Sequence, residues 1–220
     1  MSLLAAVALA AAAATYRADC ASCHGALGQG SAMAPALIGV SATKVHFMLD
    51  TGRMPAVVPH QEQPHTPARL NGDQIDALAQ YVAGFAKHPD TQLPLVILGD
   101  AFRGADLFRS NCAACHGAAG SGGATGGGEF PVAPSLAHAT VFQVAEAIRT
   151  GPGAMPRFGT AVLSDTDVGD IERYVNDTQT APQPGGLKLE GIGPTAEGFV
   201  AIVFGLGLVL LLARALNPPR

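Results

Sequence analysis

The chain has 220 residues, 48% hydrophobic and 14% charged, with no Trp and a formal net charge of −4. Its length allows two small domains rather than one large core. The charge offers no basic surface: residues 16–90 are net −1 and residues 100–180 net −4, which tells against nucleic acid as a partner and against a basic steering face.

Residues 1–14 are apolar and alanine-rich, with no Lys or Arg ahead of them. They read as the remnant of an export signal or anchor, or as a plain helical extension, because Ala is the best helix former. Then comes Cys20-Ala21-Ser22-Cys23-His24, which recurs as Cys112-Ala113-Ala114-Cys115-His116 and so accounts for all 4 cysteines. Two thiols one helical turn apart can add across the two vinyl groups on one edge of a haem, and the next residue then puts an imidazole nitrogen on the iron. Cys20, Cys23, Cys112 and Cys115 are thus expected to carry two covalent haem c groups, with His24 and His116 as proximal iron ligands. A zinc knuckle does not ask for a histidine after each second cysteine. A thioredoxin-like motif needs a βαβ context, and disulfides would close longer loops than these pairs allow.

The chain is a duplication. Tyr16 and Phe108 share the offset of 92 that relates the two motifs, and Ala34-Pro35-Ala36-Leu37 answers to Ala133-Pro134-Ser135-Leu136 at an offset of 99. A Gly-rich stretch, Gly117 to Gly128, lengthens the second copy and reads as a surface loop; no strand leads into it, so a dinucleotide site is not expected. Thr51-Gly52-Arg53-Met54-Pro55 answers to Thr150-Gly151-Pro152-Gly153-Ala154-Met155-Pro156, and each copy closes on a helix-like run, Leu70, Ile75, Leu78, Tyr81 and Val82 matching Leu163, Val168, Ile171, Tyr174 and Val175. Met155 is the only methionine of the second copy, and Met54 alone among Met33, Met48 and Met54 lies in the repeated segment. These two are the expected distal iron ligands; Met48 reads as core filling and Met33 as loop packing. A neutral thioether favours ferrous iron and leaves no open position, so such a site passes electrons without bond chemistry. The carbonyls of Pro35 and Pro134 are candidates to hold the proximal imidazoles. His46, His60, His65, His88 and His138 have no counterparts in the other copy and receive no role.

The pattern predicts an all-α chain: two tandem class I cytochrome c domains, residues 15–90 and 100–178, each with a haem-bearing first helix, a short middle helix and a closing helix. The haem supplies apolar volume that 80 residues cannot, and Tyr16 or Phe108 is expected to pack the first helix on the last through Leu78 or Ile171 and Tyr81 or Tyr174. An apolar connector, residues 91–99, is expected to pack along a domain interface and fix the relation of the two haems. After a Pro/Gly linker at 179–193, a helix from Pro194 to Leu216 is expected to span a membrane: Gly198 to Ala213 is uncharged, apolar on all faces and flanked by Glu197 and Arg214. Gly205 and Gly207 suit a neighbouring membrane helix. Arg214 and Arg220 mark the tail, 217–220, as cytoplasmic, which puts the haem domains on the outer face.

The two Cys-x-x-Cys-His units, Leu37-Ile38-Gly39-Val40, Thr51 to Ala56, Thr150 to Pro156, Gln183-Pro184-Gly185-Gly186 and Gly193-Pro194 ahead of Glu197-Gly198 together resemble the dihaem cytochrome c subunit of the actinobacterial cytochrome bcc complex. The resemblance spans nearly the whole chain after Thr15; the family usually carries a longer leading segment. It implies a subunit of a menaquinol–cytochrome c reductase, beside a cytochrome b subunit and a Rieske iron–sulfur subunit. It also implies a supercomplex in which electrons pass from the Rieske centre to the copper centre of a haem–copper oxidase. Two other readings compete. An independent membrane-anchored carrier, or the cytochrome subunit of a periplasmic dehydrogenase, would purify without haem b or a Rieske cluster. A dihaem peroxidase needs an open iron, against which Met54 and Met155 argue.

Overall fold

A computed structural model describes residues 3–58, 63–87, 90–125, 132–180 and 198–216. Positions 1 and 2, His60, His88, most of the linker, Glu197 and the tail lie outside them. The regular structure of the described residues is helical apart from one two-residue ladder. In the first copy α1 (Leu3–Asp19), α2 (Ala21–His24), α3 (Ala42–Asp50) and α4 (Gly72–Ala83) follow each other; in the second, α5 (Ala101–Asn111), α6 (Ala113–His116), α7 (Val141–Thr150) and α8 (Asp165–Thr180). Helix starts are set by side chains that accept otherwise unpaired backbone N–H groups. Ser41 caps α3, Asp100 caps α5, and Asn71 with Gln74 and Thr140 with Gln143 form reciprocal capping boxes at α4 and α7.

The copies repeat one arrangement: α1 crosses α4 as α5 crosses α8, with α3 on α4 and α7 on α8. Tyr16, Leu49, Ile75, Leu78 and Val82 form one core; Phe108, Val144, Ile148, Val168, Ile171 and Val175 belong to the other. The expected aromatic contacts are present, Tyr16 to Tyr81 at 5.7 Å and Phe108 to Tyr174 at 5.3 Å between ring centroids. The α5–α8 crossing needs Gly104, where a Cβ would lie 1.9 Å from the Asp170 backbone oxygen.

Three expectations need correction. The connector docks through its backbone, Thr43 Oγ1–H to Gln92 O at one end and Gly99 N–H to Gly169 O at the other. Its apolar side chains do not pack: Leu95, Val96, Ile97 and Leu98 stay exposed, and only Leu93 sits against Ala42, Ala79 and Ala83. An extended segment held by backbone bonds leaves its side chains free to face outward. The Gly-rich stretch is not all loop, because Gly123–Ala124 (β1) pairs antiparallel with Val132–Ala133 (β2); positions 126–131 lie outside the described residues. Met33 is half exposed, so its side chain is not enclosed in the loop.

The last element, α9 (Gly198–Leu216), has 19 residues, a mean hydropathy of 2.5 and no buried residue, with a π-helical stretch at Ala201–Leu206. At a rise of ~1.5 Å per residue it is about 28 Å long, near the thickness of a bilayer core.

Glu172 of α8 is fully buried, and neither of its carboxylate oxygens has a hydrogen-bond partner among the described residues. Burial pushes it up to about 7 from 4.5, against the pull of Arg149. A carboxyl raised in the fold contributes stability that is complete below its unfolded value and is lost as pH climbs through the folded one. Glu172→Gln should therefore raise the unfolding temperature at about pH 8 and hardly change it at about pH 4 by calorimetry; an equal shift at both would acquit the buried charge.

Candidate haem sites

α1 runs straight into the first motif. Tyr16 O accepts from Cys20 N at 2.9 Å, and Cys20 O accepts from Cys23 N at 3.1 Å and His24 N at 2.9 Å, so both thiols and the imidazole leave one turn of backbone. The second motif repeats this with Phe108 O and Cys112 O. No cysteine is in a disulfide. Burial pushes Cys20 and Cys112 up to about 11, with Asp19 and Cys23 adding to the first and Cys115 to the second. Both thiols therefore stay protonated near neutrality, unlike the lowered thiol of a redox-active dithiol.

The proximal imidazoles are held as the duplication suggested. His24 Nδ1 lies 2.8 Å from Pro35 O and His116 Nδ1 lies 3.0 Å from Pro134 O. A carbonyl only accepts, so Nδ1 carries the proton and Nε2 is left as a lone-pair donor. Each proline reaches its histidine because a glycine lets the loop close. Gly30 (φ 81°) and Gly122 (φ 82°) donate to the carbonyls of His24 and His116, and a Cβ on them would come within 2.7 Å of Ala36 N or 2.8 Å of Ser135 N. Only glycine tolerates both that conformation and that approach.

Met54 and Cys20 line one cleft, together with Asp19, Leu49, Arg69, Leu70 and Leu78. In the second copy Met155 packs against the cluster that holds Phe108, Cys112 and Ala113. Met54 N–H donates to Met48 O at 2.9 Å, and Met155 N–H to Pro152 O at 3.0 Å, so α3 and α7 each lead directly into a methionine loop. Arg149 of α7 ties down the chain beyond Met155 by donating to Phe158 O and Leu163 O. The cleft's two charged residues, Asp19 and Arg69, have Asn111 and Val162 as their counterparts, so the second copy carries neither charge there. These residues fit a covalently held haem: free thiols one turn apart, a tautomer-fixed imidazole and a thioether beside an apolar cleft. Among the described residues no three His, Cys, Asp or Glu side chains converge as ligands of one metal ion.

The sequence reading missed the tyrosine hydroxyls. Tyr16 donates to Gly25 O at 2.7 Å and Tyr174 to Ala118 O at 2.7 Å, each just past a motif histidine. The donor is on the first helix in one copy and on the last in the other. Aromatic residues at repeated positions show packing; nothing in their spacing says where a hydroxyl points.

Fold and motifs define the class, a tandem pair of cytochrome c domains. The family model described as "Cytochrome C oxidase, cbb3-type, subunit III" matches residues 7–82 and again 99–175. Domains of this kind carry covalently bound haem c. The chain belongs to the cytochrome c subunits of the cytochrome bc1 complex. It is 40% identical over 204 residues to the "Cytochrome bc1 complex cytochrome c subunit" of Mycobacterium tuberculosis, covering 89% of this chain and 72% of the relative. The Mycobacterium leprae subunit is 39% identical over 204 residues, covering 89% and 70%, and that of Corynebacterium efficiens 35% over 219 residues, covering 91% and 73%. A respiratory electron-transfer role follows, in a chain whose last described helix is long and apolar enough for membrane anchoring.

In denaturant titrations Tyr16→Phe should lower the free energy of unfolding by ~1 kcal/mol, the worth of one partly buried hydrogen bond, and Tyr174→Phe, whose bond is exposed, by less. No loss in either variant would dismiss the hydroxyls as anchors.

Proposed function

We propose that the chain holds two haem c groups and relays electrons within a quinol–cytochrome c reductase. Residues 15–90 and 100–178 are the two haem domains. Cys20 and Cys23, and Cys112 and Cys115, would form the thioethers; His24 with Met54 and His116 with Met155 would hold the irons. The observation that carries this is the paired imidazole, each with Nδ1 held by a proline carbonyl and Nε2 free, in a copy whose repeated methionine packs beside the motif. When bound, the haem supplies a one-electron couple. The chain's own part is to exclude a vacant iron position with Met54 and Met155, to exclude water with the two apolar cores, and to hold ligand orientation so that little reorganisation accompanies electron transfer.

The further placement rests on the family. The partners are a cytochrome b subunit and a Rieske subunit that delivers electrons, with the copper centre of a haem–copper oxidase receiving them in a supercomplex. The segment 194–216, whose described part is α9, anchors the chain in lipid with its tail cytoplasmic and the haem domains on the outer face.

A pyridine haemochrome assay should give two c haems per chain. Met155→His should lower one midpoint potential by on the order of 0.1 V, within the roughly 0.8 V that axial ligands command, and leave the other nearly unmoved. An unchanged pair of potentials removes Met155 from the iron. Purification through a tag on this chain should bring down haem b, an iron–sulfur cluster and copper; haem c alone would favour the independent carrier.

A further inference from the structure

The two domains meet where α3 packs on α7, helices that hold the same place in their copies. His46 of α3, 8% exposed, puts Nδ1 2.7 Å from Oε1 of Glu146 on α7, which is 0% exposed. The two atoms are in ion-pair contact but not aligned as a hydrogen bond, and Glu146 Oε2 has no partner among the described residues. On the other edge of the ring, Nε2 lies 3.5 Å from Asp76 Oδ1 of α4. Phe142 of α7 sets its ring edge-on to the imidazole at 5.1 Å, and Gln143 of α7 donates to Asp50 Oδ2 of α3 at 2.7 Å.

The duplication shows that the fold does not require this pair. At the offset of 99 the counterpart of His46 is Ala145 and that of Glu146 is Phe47, both apolar and buried. A position the other copy fills with carbon here carries an ionisable group, and it does so on both sides of one seam. Unpaired, either would be costly to bury.

The charges around the ring are all acidic. Glu146 from α7, Asp50 from α3 and Asp76 from α4 act on His46; Lys44 of α3 is exposed, and no cation acts on the pair among the described residues. Burial alone would take the proton off His46, but the three carboxylates outweigh it and hold its pKa above the ordinary value. Burial pushes Glu146 up to about 7, against the pull of His46 and with additions from Asp50 and Asp76. Both shifts are upward. The stability they give is complete below the unfolded values of 4.5 and 6.5 and is lost as pH rises through about 7 for Glu146 and from 6.5 upward for His46. A bare pair would set three carboxylates around a neutral ring.

We infer that His46 and Glu146 form a proton-binding site that fastens the two haem domains: with the proton bound, α3 stays packed on α7, and without it the seam opens. This holds whatever the partners of the complex are, and it does not depend on which groups ligate the iron.

Hydrogen–deuterium exchange of the reduced, haem-loaded full chain in detergent tests it. After correction for the intrinsic exchange rate, amides of residues 42–50 and 141–150 should exchange at least about tenfold faster at about pH 8.5 than at about pH 5.5, the equivalent of one pKa unit, while those of residues 101–111 change little. Glu146→Gln and His46→Gln should flatten that dependence, and Asp76→Asn should move its midpoint to lower pH. Equal protection of the two helices at both pH values in the unaltered chain overturns the proposal, and so does a loosening by the glutamine variants that is the same at every pH. The unaltered chain decides the matter even where a variant does not fold.

Discussion

An imidazole can present one nitrogen steadily to a metal only while the other is held, and in both copies a proline carbonyl does the holding. The rest of each domain follows from that bond. The proline reaches the histidine because Gly30 or Gly122 permits a loop no other residue would fit. The loop is placed by the motif turn, the turn extends the first helix, and the first helix is seated by an aromatic residue buried against the closing helix. A defect anywhere along this series is felt at the ring nitrogen, which is why domains with such thin cores keep these contacts twice over.

The second constraint is where each methionine loop begins. α3 and α7 end in the loops that carry Met54 and Met155, and the same two helices form the seam between the domains. The methionine loops are therefore continuous with the interface, whereas the cysteine motifs extend helices packed within their own copy.

Much of this was legible in the sequence, for a physical reason. The duplication supplied an internal control, so Cys20, His24, Pro35 and Met54 could each be checked against a second copy, and the family they pointed to is the one the chain belongs to. Helix positions followed from period and caps. What stayed hidden had no counterpart to compare or depended on direction. His46 lay in Val45-His46-Phe47 and Glu146 in Ala145-Glu146-Ala147, each an isolated polar residue in an apolar run. That was the available signal, but nothing in it joins two residues a hundred positions apart. The connector failed differently: its apolar sequence suggested packing, while its backbone bonds do the docking and leave Ile97 and Leu98 outside.

The crossed-over tyrosine donors have a structural consequence. One copy steadies the carbonyl after its motif from the opening helix and the other from the closing helix. An exchange of end helices between the halves would give one hybrid whose two phenols address different carbonyls, that of Gly25 and that of Ala118. The reciprocal hybrid would hold Phe108, which has no hydroxyl, and Tyr81, which is not the donor in its own half. End helices are therefore not interchangeable between the halves: one product of the exchange would lack any hydroxyl anchor behind its motif.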